Sequence, residues 1–263
     1  MIGEILIPAL AVGATGLAFG GLLGFASIVF KVDKDERIDQ IGEILPGANC
    51  GGCGYAGCSA LAEAIVTKGE SPAKCNLMTD EKNKAICALM GVEAKAVVPK
   101  KARLRCSGTC DVCSDRYDFT GVDDCTSAAL LNGGPKNCEY GCIGLGSCVK
   151  VCEYGALSVK DDIAHIDEEK CCGCGRCTYA CPKHLLKLVP TGCEYTVLCS
   201  SKDKGVLVKN YCSNGCIGCK MCEKKCEHDA IHVNDNIAVI DYGKCVSCGL
   251  CAEVCPKKVI HKF

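Results

Sequence analysis

The chain has 263 residues, room for one large domain or two to three small ones, and its charges nearly cancel, with 30 Lys plus Arg against 31 Asp plus Glu. It holds 29 cysteines, no tryptophan and only 13 Phe plus Tyr, so a conventional aromatic-rich core is excluded. The odd cysteine total and repeated C-x2-C-x2-C runs count against a disulfide scaffold and for a metal that takes several thiolates at once, and the lack of a basic run argues against nucleic acid as a partner.

From Ile5 to Phe30 the chain runs 26 residues without a charge. As a helix this spans about 39 Å, enough to cross a hydrocarbon core of about 30 Å with tilt. Gly13, Gly16, Gly20 and Gly24 share one face, the small-residue stripe through which membrane helices pack. A signal peptide would carry a positive start, whereas this one is Met1-Ile2-Gly3-Glu4. Residues 1–30 are therefore expected to be a single transmembrane anchor. Lys31, Lys34 and Arg37 then favour a cytoplasmic side for the rest, as does the reducing compartment that cluster thiolates need.

Residues 31–48 read as an amphipathic helical link with Ile38, Ile41, Ile44 and Leu45 on one side. The first cysteine module, within 31–90, is Cys50-x2-Cys53-x4-Cys58-x16-Cys75, with a glycine-rich start that lets the backbone turn closely around a cluster. Ser59 to Lys68 is expected to be helical, with Leu61, Ala64 and Ile65 inward. Zinc would also accept four cysteines, but these gaps beside ferredoxin-type repeats favour [4Fe–4S]. Gly52-x-Gly54-x-x-Gly57 mimics a dinucleotide fingerprint, yet it follows no strand and is interleaved with cysteines. Residues 91–137 read as a linker followed by a cysteine-containing segment.

The remainder repeats internally. Residues 138–190 form one unit and 191–263 a second, each a cluster loop, a hairpin and another cluster loop ending in Cys-Pro. In the C-x2-C-x2-C-x3-C run three thiolates wrap one cube and the fourth completes the cube of the other run. The second unit then holds Cys216, Cys219, Cys222 and Cys255 on one cluster, and Cys226, Cys245, Cys248 and Cys251 on the other. In the first unit, Cys152, Cys171, Cys174 and Cys177 form one set. Its other loop reads C-x3-C-x5-C-x3-C, so Cys138 is taken as the third local thiolate beside Cys142, Cys148 and Cys181. His165 and His232 read as exposed strand residues at equivalent hairpin positions. The fold class is thus α+β: a transmembrane helix, a small helical [4Fe–4S] module and two tandem two-cluster ferredoxin-like domains.

Cys87, Cys106, Cys110, Cys113, Cys125, Cys172, Cys193, Cys199 and Cys212 lie outside these sets. Cys106, Cys110, Cys113 and Cys125 could form a local site. Alternatively, Leu104-Arg105-Cys106-Ser107 echoes Val197-Leu198-Cys199-Ser200, and Cys106 and Cys125 would join Cys199 and Cys212. Buried structural thiols are the third reading. The cofactor content is at least five [4Fe–4S] clusters, and six if either extra set forms. Each adds about −2 when oxidised, which Lys220, Lys224 and Lys225 help to offset.

The apolar first helix, the Cys50–Cys75 motif, Cys138-Glu139-Tyr140-Gly141-Cys142-Ile143-Gly144-Leu145-Gly146-Ser147-Cys148 and Gly215-Cys216-Ile217-Gly218-Cys219-Lys220-Met221-Cys222 occur in this order. Together they resemble the B subunits of Rnf complexes, membrane-bound ferredoxin–NAD oxidoreductases that couple electron flow to sodium-ion or proton transport. Glu153 and Glu227 stand after Cys152 and Cys226, where proline is commoner. The resemblance implies a translocase subunit at the cytoplasmic membrane that takes electrons from soluble ferredoxin and relays them, without bond-making catalysis of its own. Nicotinamide, flavin and ion sites would lie on other membrane and flavoprotein subunits. The rival readings are a membrane-anchored polyferredoxin serving a hydrogenase or carbon monoxide dehydrogenase, a zinc scaffold, and an enzyme with a three-cysteine cluster, the last disfavoured by the surplus of cysteine.

Overall fold

The computed structural model describes the backbone of residues 2–30 and 35–263 and the side chains of 12–26, 28–30 and 35–263. Helix α1 (Ile2–Val29) is 28 residues long. Among the described residues no helix is both long and apolar enough to cross a membrane. The expected span includes residues 5–11 and Ser27, whose side chains lie outside the described residues, and Lys31 and Lys34 lie outside them entirely.

The first module is a three-helix unit. In α2 (Glu36–Ile44) Asp35 caps the first turn and Ile41 is buried, with Leu45 just beyond. Helix α3 (Cys58–Lys68) buries Leu61, Ala62, Ala64 and Ile65 and ends at Gly69 in the left-handed region. Thr79 caps α4 (Asp80–Met90), which buries Ile86 and Cys87. The link and the inward residues of 59–68 match the sequence expectation.

The stretch expected as a linker is instead part of the first ferredoxin unit. Strand β1 (Lys100–Leu104) pairs antiparallel with β4 (Leu186–Pro190), Leu104 opposite Leu186. Between them come α5 (Cys125–Leu130), α6 (Ser147–Lys150), the hairpin β2 (Leu157–Lys160) with β3 (Ile163–Ile166), and α7 (Arg176–Ala180). The second unit repeats the plan: β5 (Tyr195–Val197), α8 (Gly205–Tyr211), α9 (Met221–Lys225), the hairpin β6 (Ile231–Asn234) with β7 (Ile237–Ile240), α10 (Leu250–Glu253), and β8 (Ile260–Lys262) paired back to β5. His165 is on the second strand of its hairpin and His232 on the first of the other. The expected equivalence of the two histidines fails.

A pseudo-twofold relates the units. The Ser107 hydroxyl donates to the Leu198 carbonyl and the Ser200 hydroxyl to the Arg105 carbonyl, at 3.2 and 3.0 Å. Buried Arg103, paired with Glu168 of its own unit at 2.6 Å, stacks 4.4 Å over the Phe263 ring of the other. Each unit has only a thin aliphatic core, such as Val197, Ile231, Ile237, Val259 and Ile260, interleaved with cysteines. Cores in units this small seldom supply more than about 3–5 kcal/mol, so metal–thiolate bonds are the natural staple.

Candidate iron–sulfur centres

All 29 cysteines are free thiols. All but Cys87, Cys110 and Cys193 fall in six groups, four of them lining cavities. One cavity is lined by Cys216, Cys219, Cys222 and Cys255, the set expected from spacing. Another takes Cys152, Cys171, Cys174 and Cys177, with Cys172 beside them. Cys251 lies within electrostatic reach of Cys226, Cys245 and Cys248, and Cys75 within reach of Cys50, Cys53 and Cys58. In these four groups the structure brings together the residues that the runs predict.

The two remaining groups differ from expectation. A third cavity is lined by Cys142, Cys148, Cys181 and Cys125, and Cys138 is not among them. Cys125 opens helix α5. Its backbone N–H donates to the Ser147 hydroxyl at 2.7 Å, which in turn donates to Asp124 at 2.8 Å, so the thiol is held beside Cys148. Cys138 instead joins Cys106, Cys113, Cys199 and Cys212 in a cavity between the two units. The structure thus gathers Cys106, Cys199 and Cys212 with Cys138 and Cys113 rather than with Cys125, and Cys110 does not line that cavity.

The repeat explains the exchange. From Cys138 and Cys212 onward the units run at a constant offset of 74 positions, so Leu145 stands where the second unit has Cys219. The missing thiol is supplied by Cys125, from a segment between Cys106 and Cys138 that is 19 residues longer than its counterpart between Cys199 and Cys212. The same offset pairs Cys138 with Cys212, each followed three residues later by a close-packed glycine, Gly141 and Gly215. Aligning the two loops residue by residue carries this signal; counting local spacings hides it.

Among the described residues no three His, Cys, Asp or Glu side chains converge tightly enough to hold one metal ion. A four-iron cube takes one thiolate at each of its four irons, so a set of four cysteines meets its need. Backbone N–H groups point at the sulfurs, as thiolates bound to iron require. Gly108 and Cys142 donate to the Cys106 Sγ, and Cys216 to the Cys199 Sγ, each at 3.4 Å. Leu185, Ala230 and Val259 donate to Cys181, Cys226 and Cys255. Buried Lys136, held by the Gly108 and Asp162 carbonyls at 2.6 and 2.9 Å, lines the central cavity and sets a positive charge beside its thiols. Burial pushes Cys138, Cys148 and Cys177 up to about 12, and Cys142, Cys222 and Cys251 up to about 11. Without iron these six side chains are neutral thiols at pH 7, and binding the metal releases their protons. The donor chemistry fits [4Fe–4S] clusters.

The groups follow one another. Cys50 in the first module lies against the Cys174 carbonyl, and a Cβ added at Gly52 would overlap that oxygen. Cys177 of the next group senses Cys148 of the one after. The N–H···S bonds from Cys142 and Cys216 join the flanking groups to the central cavity from both sides. Helix α9 carries Cys222 of one set and leads directly to Cys226 of the last.

Matches to known families fall on the first module and on the two later units. The family described as "Putative Fe-S cluster" matches residues 45–76, and that described as "4Fe-4S dicluster domain" matches 137–185 and 215–259. The chain is 41% identical to the B subunit of the Na(+)-translocating ferredoxin:NAD(+) oxidoreductase complex of Acetobacterium woodii, over 99% of this chain and 78% of that protein. It is 44% identical to the B subunit of the ion-translocating oxidoreductase complex of Methanosarcina acetivorans, over 98% and 99% of the two. A proton-translocating counterpart from Clostridium ljungdahlii is 41% identical over 88% and 82%. Such identity along essentially the whole chain, on top of the paired dicluster units and the leading four-cysteine module, means that the chain belongs to the family of B subunits of Rnf-type ion-translocating ferredoxin–NAD oxidoreductase complexes.

Proposed function

We propose that the chain is the electron-transfer subunit of an ion-translocating ferredoxin–NAD oxidoreductase, taking electrons from reduced soluble ferredoxin and relaying them along six [4Fe–4S] sites. The ligand sets are Cys50, Cys53, Cys58 and Cys75; Cys152, Cys171, Cys174 and Cys177; Cys125, Cys142, Cys148 and Cys181; Cys106, Cys138, Cys199 and Cys212; Cys216, Cys219, Cys222 and Cys255; and Cys226, Cys245, Cys248 and Cys251. The pseudo-twofold selects the fourth set: Cys106 matches Cys199 and Cys138 matches Cys212, while Cys113 lies in the longer segment and has Val206 at its counterpart. The unbroken succession of cysteine groups from the first module to the second unit is the observation that carries this reading.

The clusters supply one-electron acceptance and donation; the chain's own residues hold them, exclude water and direct N–H groups at their sulfurs. Helix α1 would anchor the chain in the cytoplasmic membrane with residues 35–263 on the cytoplasmic side. Exposed Val12, Leu17, Phe19, Leu22, Leu23, Phe25 and Ile28 support this, and Gly13, Gly16, Gly20 and Gly24 have open space for partner helices. Flavin, nicotinamide and ion sites are assigned to the other subunits. The test is anaerobic mixing of the full, cluster-loaded chain in detergent with reduced two-cluster ferredoxin. Visible absorbance should bleach and reduced-cluster EPR signals appear; a chain that dithionite reduces but ferredoxin does not would refute the donor assignment.

A further inference from the structure

The loop at Cys174 and the loop at Cys248 are counterparts at the 74-residue offset, with Cys171 to Cys177 matching Cys245 to Cys251. Their surroundings are opposite. In the first unit the loop is covered by the first module: Cys50 contacts the Cys174 carbonyl, Gly52 sits flush on it, and Asn76 donates to the Gly52 carbonyl at 3.1 Å beside Gly175. In the second unit no counterpart of the first module covers the loop among the described residues; Tyr195 packs on it, at Gly249. Cys248 is exposed, and Val246, the counterpart of Cys172, is 57% exposed.

The uncovered loop is nevertheless held firmly. The Glu194 N–H donates to the Ser247 hydroxyl at 3.0 Å, and Ser247 keeps the positive φ of its counterpart Gly173. The Gly249 backbone packs so closely on Tyr195 that an added Cβ would meet its hydroxyl at 2.5 Å. Lys262, paired with Glu194 at 3.0 Å, borders the same surface. A rigid loop that leaves an electron-carrying thiol and an apolar side chain open to solvent is prepared for a partner.

We infer that the Val246–Cys248 face is the docking surface for the soluble electron donor, a small iron–sulfur protein that presents its own cluster loop there as the Cys50–Cys53 loop is presented to Cys174. The inference rests on the proposed ferredoxin reading and adds to it the end at which electrons enter. The chain's own covered loop is the template for the geometry. In the transfer the donor loses one electron and the chain gains one, and no bond is made or broken. The two ends of the row thereby take different tasks: the first module follows the proposed anchor in the chain, and the last group faces the soluble carrier.

The experiment compares the wild-type full chain with Val246→Glu and Lys262→Glu, after iron content and EPR have shown all clusters present. Reduced two-cluster ferredoxin is the probe, read by stopped-flow bleaching and by anaerobic zero-length cross-linking. Both variants should lose at least about tenfold in second-order rate, and lose the cross-link, while dithionite reduces them as it does the wild type. Unchanged rates and cross-links in both variants, or a loss seen only in Tyr179→Glu beside the first module, would overturn the docking site while leaving the donor assignment standing. A wild type that ferredoxin cannot reduce overturns both together.

Discussion

Cys125→Ser should remove one whole cluster, lowering iron from about 24 to about 20 per chain, and Leu145→Cys added to it should restore the loss. The reason lies in one substitution between the repeats. The second unit reads Cys216-Ile217-Gly218-Cys219-Lys220-Met221-Cys222, and the first reads Cys142-Ile143-Gly144-Leu145-Gly146-Ser147-Cys148. At equal loop length the first unit lacks the middle thiol, and α5 brings Cys125 to the same cavity. Asp124 makes this placement double: it caps α5 through the Ser127 N–H at 2.9 Å and accepts from Ser147 at 2.8 Å. The Ser127 N–H and the Ser147 hydroxyl hold the Asp124 carboxyl below the usual carboxylate range, so it stays ionised at neutral pH. Iron analysis of the single and double variants reads the result. A single variant with full iron, or a double variant no better than the single, would remove Cys125 from the ligand set.

Cys199→Ser should cost the central cluster and cut the relay in two. Cys199 lines the cavity between the units and accepts the Cys216 N–H, so its loss opens a gap between the group on either side. After mixing with reduced ferredoxin, only the two groups of the second unit should bleach rapidly, roughly a third of the wild-type amplitude, with the rest slowed by orders of magnitude. Cys106→Ser should give the same phenotype, because the pseudo-twofold makes the two thiols equivalent. Full-amplitude fast bleaching in either variant would show that the central cavity does not carry current. A set made only from Cys106, Cys110, Cys113 and Cys125 would instead leave Cys199→Ser harmless.

Much of this organisation could be read from the sequence because metal ligation is a local constraint. A run of C-x2-C-x2-C-x3-C forces a tight loop and sends its last cysteine to a neighbour, so the sets at Cys152–Cys177 and Cys216–Cys255 required no tertiary knowledge. The hairpins followed from alternation around the Asp161-Asp162 and Asp235-Asn236 turns, all four residues lying in the left-handed region. Long-range pairing was not legible. Strand β1 is only five residues long and partners β4 more than eighty positions away, so Lys100–Leu104 reads as linker by composition. The place of Cys125 beside Cys142, Cys148 and Cys181 escaped for a related reason: a thiol delivered by a surface segment leaves no local spacing.

Chemical analysis of the full chain, purified without oxygen, is the most direct test of the account: iron and acid-labile sulfide per polypeptide, with zinc measured on the same sample. Six cysteine groups holding four-iron clusters predict about 24 iron and about 24 sulfide with negligible zinc. Stoichiometric zinc with little sulfide would contradict the account, and about 20 of each would deny the central site.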